Sequence, residues 1–241
     1  MYSPESVMRI RMNGQLLLLM LAERLIEIGA KIIQINTDGI LYKISKDAPV
    51  EKVRKEWEEL TKLTLETEEF ERFYQFAIND YLGVLKGYSE TKDPSLLKKK
   101  GLFIDTVSLG KGMQPMIIPK AINAYFADGV PIEDTVKASK DINDFITYQK
   151  VGKQFYVEKA GQKIPNVNRY YCSTGGYYLY KHRKGESIKS NGISMLKKSG
   201  VKIVNDLTSL TEFPKDINYT YYISEARKIV FPMEHYQLSL F

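Results

Sequence analysis

KIIQINTDGILYKI, residues Lys31 to Ile44, is the stretch on which the fold turns. Two apolar, β-branched runs flank Asn36-Thr37-Asp38-Gly39. An Asp-Gly pair between such runs signals a hairpin, because a tight primed turn needs positive φ, which Gly and Asp tolerate. The reading predicts two buried strands with the Asp38 carboxylate lifted to their tip. The same chemistry appears wherever strands reverse, so a plain turn is the competing reading of these four residues.

Working outward, the residues before the hairpin predict a long helix from Pro4 to about Ile28. Ser3 suits the N-cap, Pro4 the first helical position, and Glu5 the positive end of the dipole. Gly29 fits the position just past the end. Leu16–Ala22, LLLLMLA, is apolar on every face and is expected to lie buried under a sheet. After the hairpin, residues 48–63 predict an amphipathic helix with Val50, Val53, Trp57 and Leu60 on one face, Trp57 serving as core. Helix, carboxylate-tipped hairpin and second helix resemble the order of elements in a nucleotidyl-transferase palm.

The run from Met8 to Ile44, with its leucine-rich helix and its Asn36-Thr37-Asp38-Gly39 turn, resembles the region around motif C of family B DNA polymerases, and the phage-type members in particular. In that family the motif reads Asp-Thr-Asp-Ser on a hairpin, and its second Asp binds the catalytic metals. Asp38 matches that Asp. Asn36 replaces the first Asp, Thr37 is retained, and Gly39 replaces the Ser. The resemblance implies a catalytic, metal-binding Asp38 and two Mg²⁺ ions, shared with a carboxylate outside this chain. Such ions sit about 3.5–4 Å apart, activate the primer 3′-hydroxyl and stabilise the leaving pyrophosphate.

Composition sets bounds around that reading. The 241 residues suffice for one large domain or two ordinary ones. No apolar run approaches a membrane span, and the first residues lack the pattern of a signal peptide. A cytoplasmic location is expected, in the host if the gene belongs to a phage. The lone Cys172 excludes an internal disulfide, and with only two His a zinc site on those ligands is not expected. Charge is unevenly placed. Residues 1–86 hold 12 Lys and Arg against 14 Asp and Glu, while residues 87–241 hold 23 against 15. The basic second part suits a polyanion; a solvated lysine-rich surface is the plainer reading.

Downstream, residues 66–73 are acidic and lead into a strand. Carboxylates of a two-metal site converge from separate elements, so this local run reads as solvated. Phe73 to Val84, FYQFAINDYLGV, predicts one aromatic-rich strand. It resembles the palm strand on which family B polymerases carry a Lys-x-Tyr motif against the primer-template. Tyr81 matches the Tyr, and Asn79 stands where the Lys would be. Lys98-Lys99-Lys100 precedes Gly101-Leu102, resembling the next strand's Lys-Gly-Leu, and suits phosphate contacts that carry no sequence preference. Solvated lysines and a core Tyr are the bland alternatives. From about Lys111 the character changes: Pro119 is expected to start a helix that Gly129 ends, and Pro131 to start another. The resemblance places the thumb here. Ile164–Gly185 combines Tyr runs with Arg169 and other cations, a pattern suited to a phosphate-lined groove, with Gly175-Gly176 expected as a turn. A short helix is expected over Ile223–Val230.

Together these predict an α+β chain, with an antiparallel palm sheet backed by helices over residues 1–112 and a mixed helical and β thumb over 113–241. The resemblance implies the C-terminal part of a DNA-directed DNA polymerase, expected to be inactive alone. Its partners would be primer-template DNA, dNTP, and a separate N-terminal part bringing the exonuclease and the first half of the palm. The family's other metal-binding Asp and its nucleotide-phosphate helix are not found here. A non-catalytic DNA-binding or replisome assembly module is the alternative, mildly favoured by Asn36. An unrelated structural protein with a chance Asp-Gly hairpin is the third reading.

Overall fold

The computed structural model describes residues 3–106, 114–185, 192–196, 199–210 and 212–235. The fold is α+β, and every strand pairing among the described residues is antiparallel. The chain divides into two compact units, residues 1–69 and 70–241.

The first unit opens with helix α1 (Pro4–Glu27), whose Ser3 hydroxyl accepts from the Ser6 amide and whose chain leaves through Gly29 at φ 92°. Side-chain caps of this kind stabilise a helix by about 1 kcal/mol. Strands β1 (Lys31–Ile35) and β2 (Ile40–Lys43) form the expected hairpin. Helix α2 (Val50–Thr61) follows and ends on Lys62 in the left-handed region. Leu21, Leu25, Ala30, Val53 and Trp57 form the core, with Ile32, Ile40 and Tyr42 packed against it. The Trp57 indole N–H donates to the Leu17 carbonyl at 3.0 Å, tying the two helices together.

Three expectations fail in this unit. LLLLMLA is not buried all round: Leu18, Leu21 and Ala22 face inward, while Leu16 is 61% and Leu19 49% exposed. A two-stranded sheet and one partner helix can cover only one side of α1. Leu60 is likewise exposed, although helical spacing sets it in line with Val53 and Trp57; it lies in the last turn of α2. The hairpin strands are half-buried, not buried.

The second unit begins with β3 (Phe70–Ala77), β4 (Asp80–Leu85) and, after the short helix α3 (Tyr88–Thr91), β5 (Leu97–Lys100), in the order β3-β4-β5. The aromatic run expected as one strand is therefore a hairpin, reversing at Ile78-Asn79 without a glycine. Helices α4 (Ile117–Asp128) and α5 (Ile132–Ala138) come next. Gly129 closes α4 as expected, but α4 starts two residues before Pro119. Strands β6 (Thr147–Lys150), β7 (Phe155–Lys159), β8 (Gln162–Ile164), β9 (Val167–Tyr177), β10 (Leu179–Arg183), β11 (Ile193–Ser194) and β12 (Val201–Ile203) build two sheets, ordered β12-β9-β6 and β11-β10-β7-β8. Helix α6 (Tyr219–His235) is longer than the expected Ile223–Val230 and carries Pro232 inside it.

Gly175-Gly176 is not a turn but lies within β9. A Cβ on Gly176 would run into the Val201 backbone, so the glycine permits the close approach of the start of β12 to the end of β9. One core spans Leu82 and Val84 of β4, Phe103, Ile122 of α4, Phe145, Tyr170 and Tyr222. This shared core is why the chain divides at 69/70 and not at 112/113. Residues 70–106 bury their apolar face against α4. Lys111, where the change of character was expected, and the 112/113 border lie outside the described residues, as does the C-terminal tail.

Candidate functional site

Asp38 sits where the hairpin reading places it, in the four-residue link Asn36–Gly39. The link is closed by the Ile35–Ile40 pair and by the Asn36 amide, which donates to the Gly39 carbonyl at 2.8 Å. Neither Asp38 nor Gly39 has positive φ, so the tight primed turn is not formed. Two more residues in the link remove the need for it. Thr37 and Asp38 occupy the tip and are exposed. The Thr37 hydroxyl donates to Asp38 Oδ1 at 3.3 Å, and Oδ2 has no partner among the described residues. Asn36 is held inside the hairpin, its carboxamide oxygen accepting from the Gln34 side chain. Behind the tip, Ile32 and Ile40 pack on the core formed by α1 and α2.

A carboxylate in this setting is a hard oxygen donor open to a divalent cation, and Asp38 fits that role. Among the described residues no three His, Cys, Asp or Glu side chains converge on one point. Asp38 alone therefore does not make a metal centre.

The second unit brings together some of the other candidates. Tyr81 pairs with Lys100 across β4 and β5, and Gly83 pairs with Lys98. Tyr81, Lys98 and Lys100 share the sheet face opposite the buried Leu82 and Val84, because strand side chains alternate. Phe73 joins them: its ring centroid is 5.0 Å from that of Tyr81, and the Lys100 ammonium lies 5.7 Å over the Tyr81 ring. Phe70 completes the cluster at 5.3 Å from Phe73. Phe70 and Phe73 were missed; the alternation of Phe73 and Gln75 against Tyr74 would have placed Phe73 on this face once the strand was split at Ile78-Asn79.

Lys99 and Arg169 stand apart. Lys99 points to the opposite face, where its ammonium pairs with Asp105 at 2.7 Å, and Asn123 of α4 donates to the same carboxylate. A cation engaged this way is a brace between β5 and α4, so the lysine triplet splits into two outward cations and one structural one. Asn79 is exposed at the tip of the β3-β4 hairpin. Next to it, Asp80 accepts from the Leu102 amide at 2.9 Å, fixing the Lys-Gly-Leu turn, in which Gly101 has φ 60° and no room for a Cβ. Arg169 lies on a different sheet, with its guanidinium 5.6 Å over the Tyr148 ring and bonded to the Asn205 carbonyl.

Compared with known proteins, the chain matches no protein-family model and no curated protein. No described helix is long and apolar enough to cross a membrane.

Proposed function

We propose that this chain is the C-terminal part of a DNA-directed DNA polymerase, acting in two-metal nucleotidyl transfer with a separate N-terminal polypeptide. The observation that carries the reading is Asp38: an exposed carboxylate at the tip of an antiparallel hairpin backed by the first long helix. In this reading Asp38 Oδ2 is the free donor for Mg²⁺, and Thr37 steadies Oδ1. When bound, the ions activate the primer hydroxyl and neutralise charge on the phosphate. The second carboxylate and the dNTP site come from the partner. Tyr81, Lys98 and Lys100 offer primer-template DNA a face that combines ring contacts with phosphate contacts, which suits binding without sequence preference.

The test is primer extension by the purified chain, alone and with the partner polypeptide, in Mg²⁺. The chain alone is expected to leave the primer unextended. With the partner, Asp38→Ala abolishes extension while DNA affinity stays nearly intact. Extension by the chain alone, or by the reconstituted Asp38→Ala variant, would refute the assignment. The second reading, a non-catalytic DNA-binding or replisome assembly module, is favoured by Asn36, whose side chain is engaged in holding Gln34. It requires retained DNA binding and no extension under any reconstitution.

A further inference from the structure

Residues 147–185 carry eight Lys and Arg against a single acid, Glu158, so this stretch is more positive than the whole chain, whose formal net charge is +6. The one negative charge is also withdrawn from the surface. Glu158 is 8% exposed, accepts from the Gly161 amide, and lies 3.7 Å from the Nε2 of His182, itself 2% exposed. Within this segment the outward charges are therefore cationic.

Its cations are placed on rings. Lys159 lies 4.8 Å over Tyr177, Lys163 4.4 Å over Tyr156 and Lys181 5.3 Å over Phe155. A ring face attracts an ammonium and limits its wandering while leaving its outer side able to meet a phosphate. Tyr177 ends β9, and Tyr178 links it to β10; the two are 53% and 51% exposed. Two adjacent tyrosines are thus left half in water, and the Lys159 ammonium over the Tyr177 ring adds a cation beside an exposed π-face.

From this we infer that β7, β9 and β10 carry a binding site for single-stranded nucleic acid, in which Tyr177 and Tyr178 stack on unpaired bases and Lys159 and Lys181 meet the flanking phosphates. Unpaired bases are specified because a duplex hides its base faces, which the exposed tyrosines need, and stacking of this kind tolerates any sequence. The site is separate from the Tyr81 face of β4 and does not depend on the polymerase reading.

The test is fluorescence anisotropy of the full chain with labelled oligo(dT) and with a blunt duplex, across a salt series. Neither nucleotide nor metal is needed, so the result stands apart from that of primer extension. Tyr177→Ala with Tyr178→Ala is expected to weaken oligo(dT) binding about tenfold or more and to leave the duplex unaffected. The Phe pair at the same positions should bind like the parent. Lys159→Gln with Lys181→Gln should lower the salt slope for oligo(dT) by about 1.4, the share of two phosphate contacts on a single strand. Ultraviolet crosslinking of oligo(dT) to the unaltered chain should label the Tyr177–Tyr178 peptide, a readout independent of how well any variant folds. The inference is overturned if the alanine pair binds oligo(dT) like the parent, if it loses oligo(dT) and duplex equally, or if the crosslink maps elsewhere.

Discussion

Residues 1–69 close their core around Trp57, with Leu21, Leu25, Ala30 and Val53 as the other buried members. Residues 70–241 instead bury a succession of large side chains, among them Phe103, Phe145, Tyr170 and Tyr222. The second unit also pins its interior with polar bonds. The Tyr222 hydroxyl accepts from the Cys172 amide and donates to the Phe145 carbonyl, both at 2.8 Å. The proposed catalytic carboxylate thus sits on the thinly packed unit, on strands only half covered. Local stability follows the number of buried apolar contacts, so the hairpin is expected to open more readily than the core strands β4 and β9.

The largest effect should come from Trp57→Ala. Removing a buried aromatic costs about 3–5 kcal/mol, much of what a small core supplies. Hydrogen exchange on the full chain should then show amides of β1 and β2 unprotected while those of β4 and β9 keep their protection. Loss in both units together would break the contrast between them.

Asp216 offers a smaller, pH-dependent effect in the second unit. Burial opposes its charge, but the Lys202 ammonium and the hydroxyls of Ser173 and Tyr171 outweigh this and hold its carboxyl below the usual range. A folded-state pKa below the unfolded one adds stability that is present above the unfolded value and lost as pH falls through the folded value. Asp216→Asn should therefore lower stability at pH 7 by about 1–2 kcal/mol, with the gap closing below about pH 4. Thermal melts across pH check this; a gap that persists unchanged into acid would show that the carboxylate's charge is not the source.

The smallest effect is expected at the exposed side of α1. Leu16→Lys should change stability by no more than about 0.5 kcal/mol, as for other surface substitutions. A urea titration of the full chain measures it, and a loss of several times that size would mean the side is covered.

What could be read in advance follows the range of the forces involved. The ends of α1 were legible because Ser3, Pro4 and Gly29 act through their immediate neighbours. The hairpin at Asn36–Gly39 was legible for the same reason, and so was Trp57, which lies in the apolar stripe of α2. The exposure of Leu16 and Leu19 was not, since it depends on how few elements lie across the helix. The turn at Ile78-Asn79 lacks the glycine that usually marks a reversal, so two strands read as one. Lys99 differs from Lys98 and Lys100 only in which face it takes, and that is settled by pairing with Leu82 and by the distant Asp105. Of the candidate site, the place of Asp38 at a hairpin tip was local and legible, whereas the open form of its turn, the half-burial of its strands and the aromatic partners of Tyr81 depend on the rest of the fold.

The indole of Trp57 has a use beyond packing. It is the chain's sole tryptophan and is 3% exposed within residues 1–69, whereas much of the tyrosine lies in the other unit. Excitation at the red edge of the absorption band will therefore report on the hairpin-bearing unit alone, from a reporter that the molecule already contains.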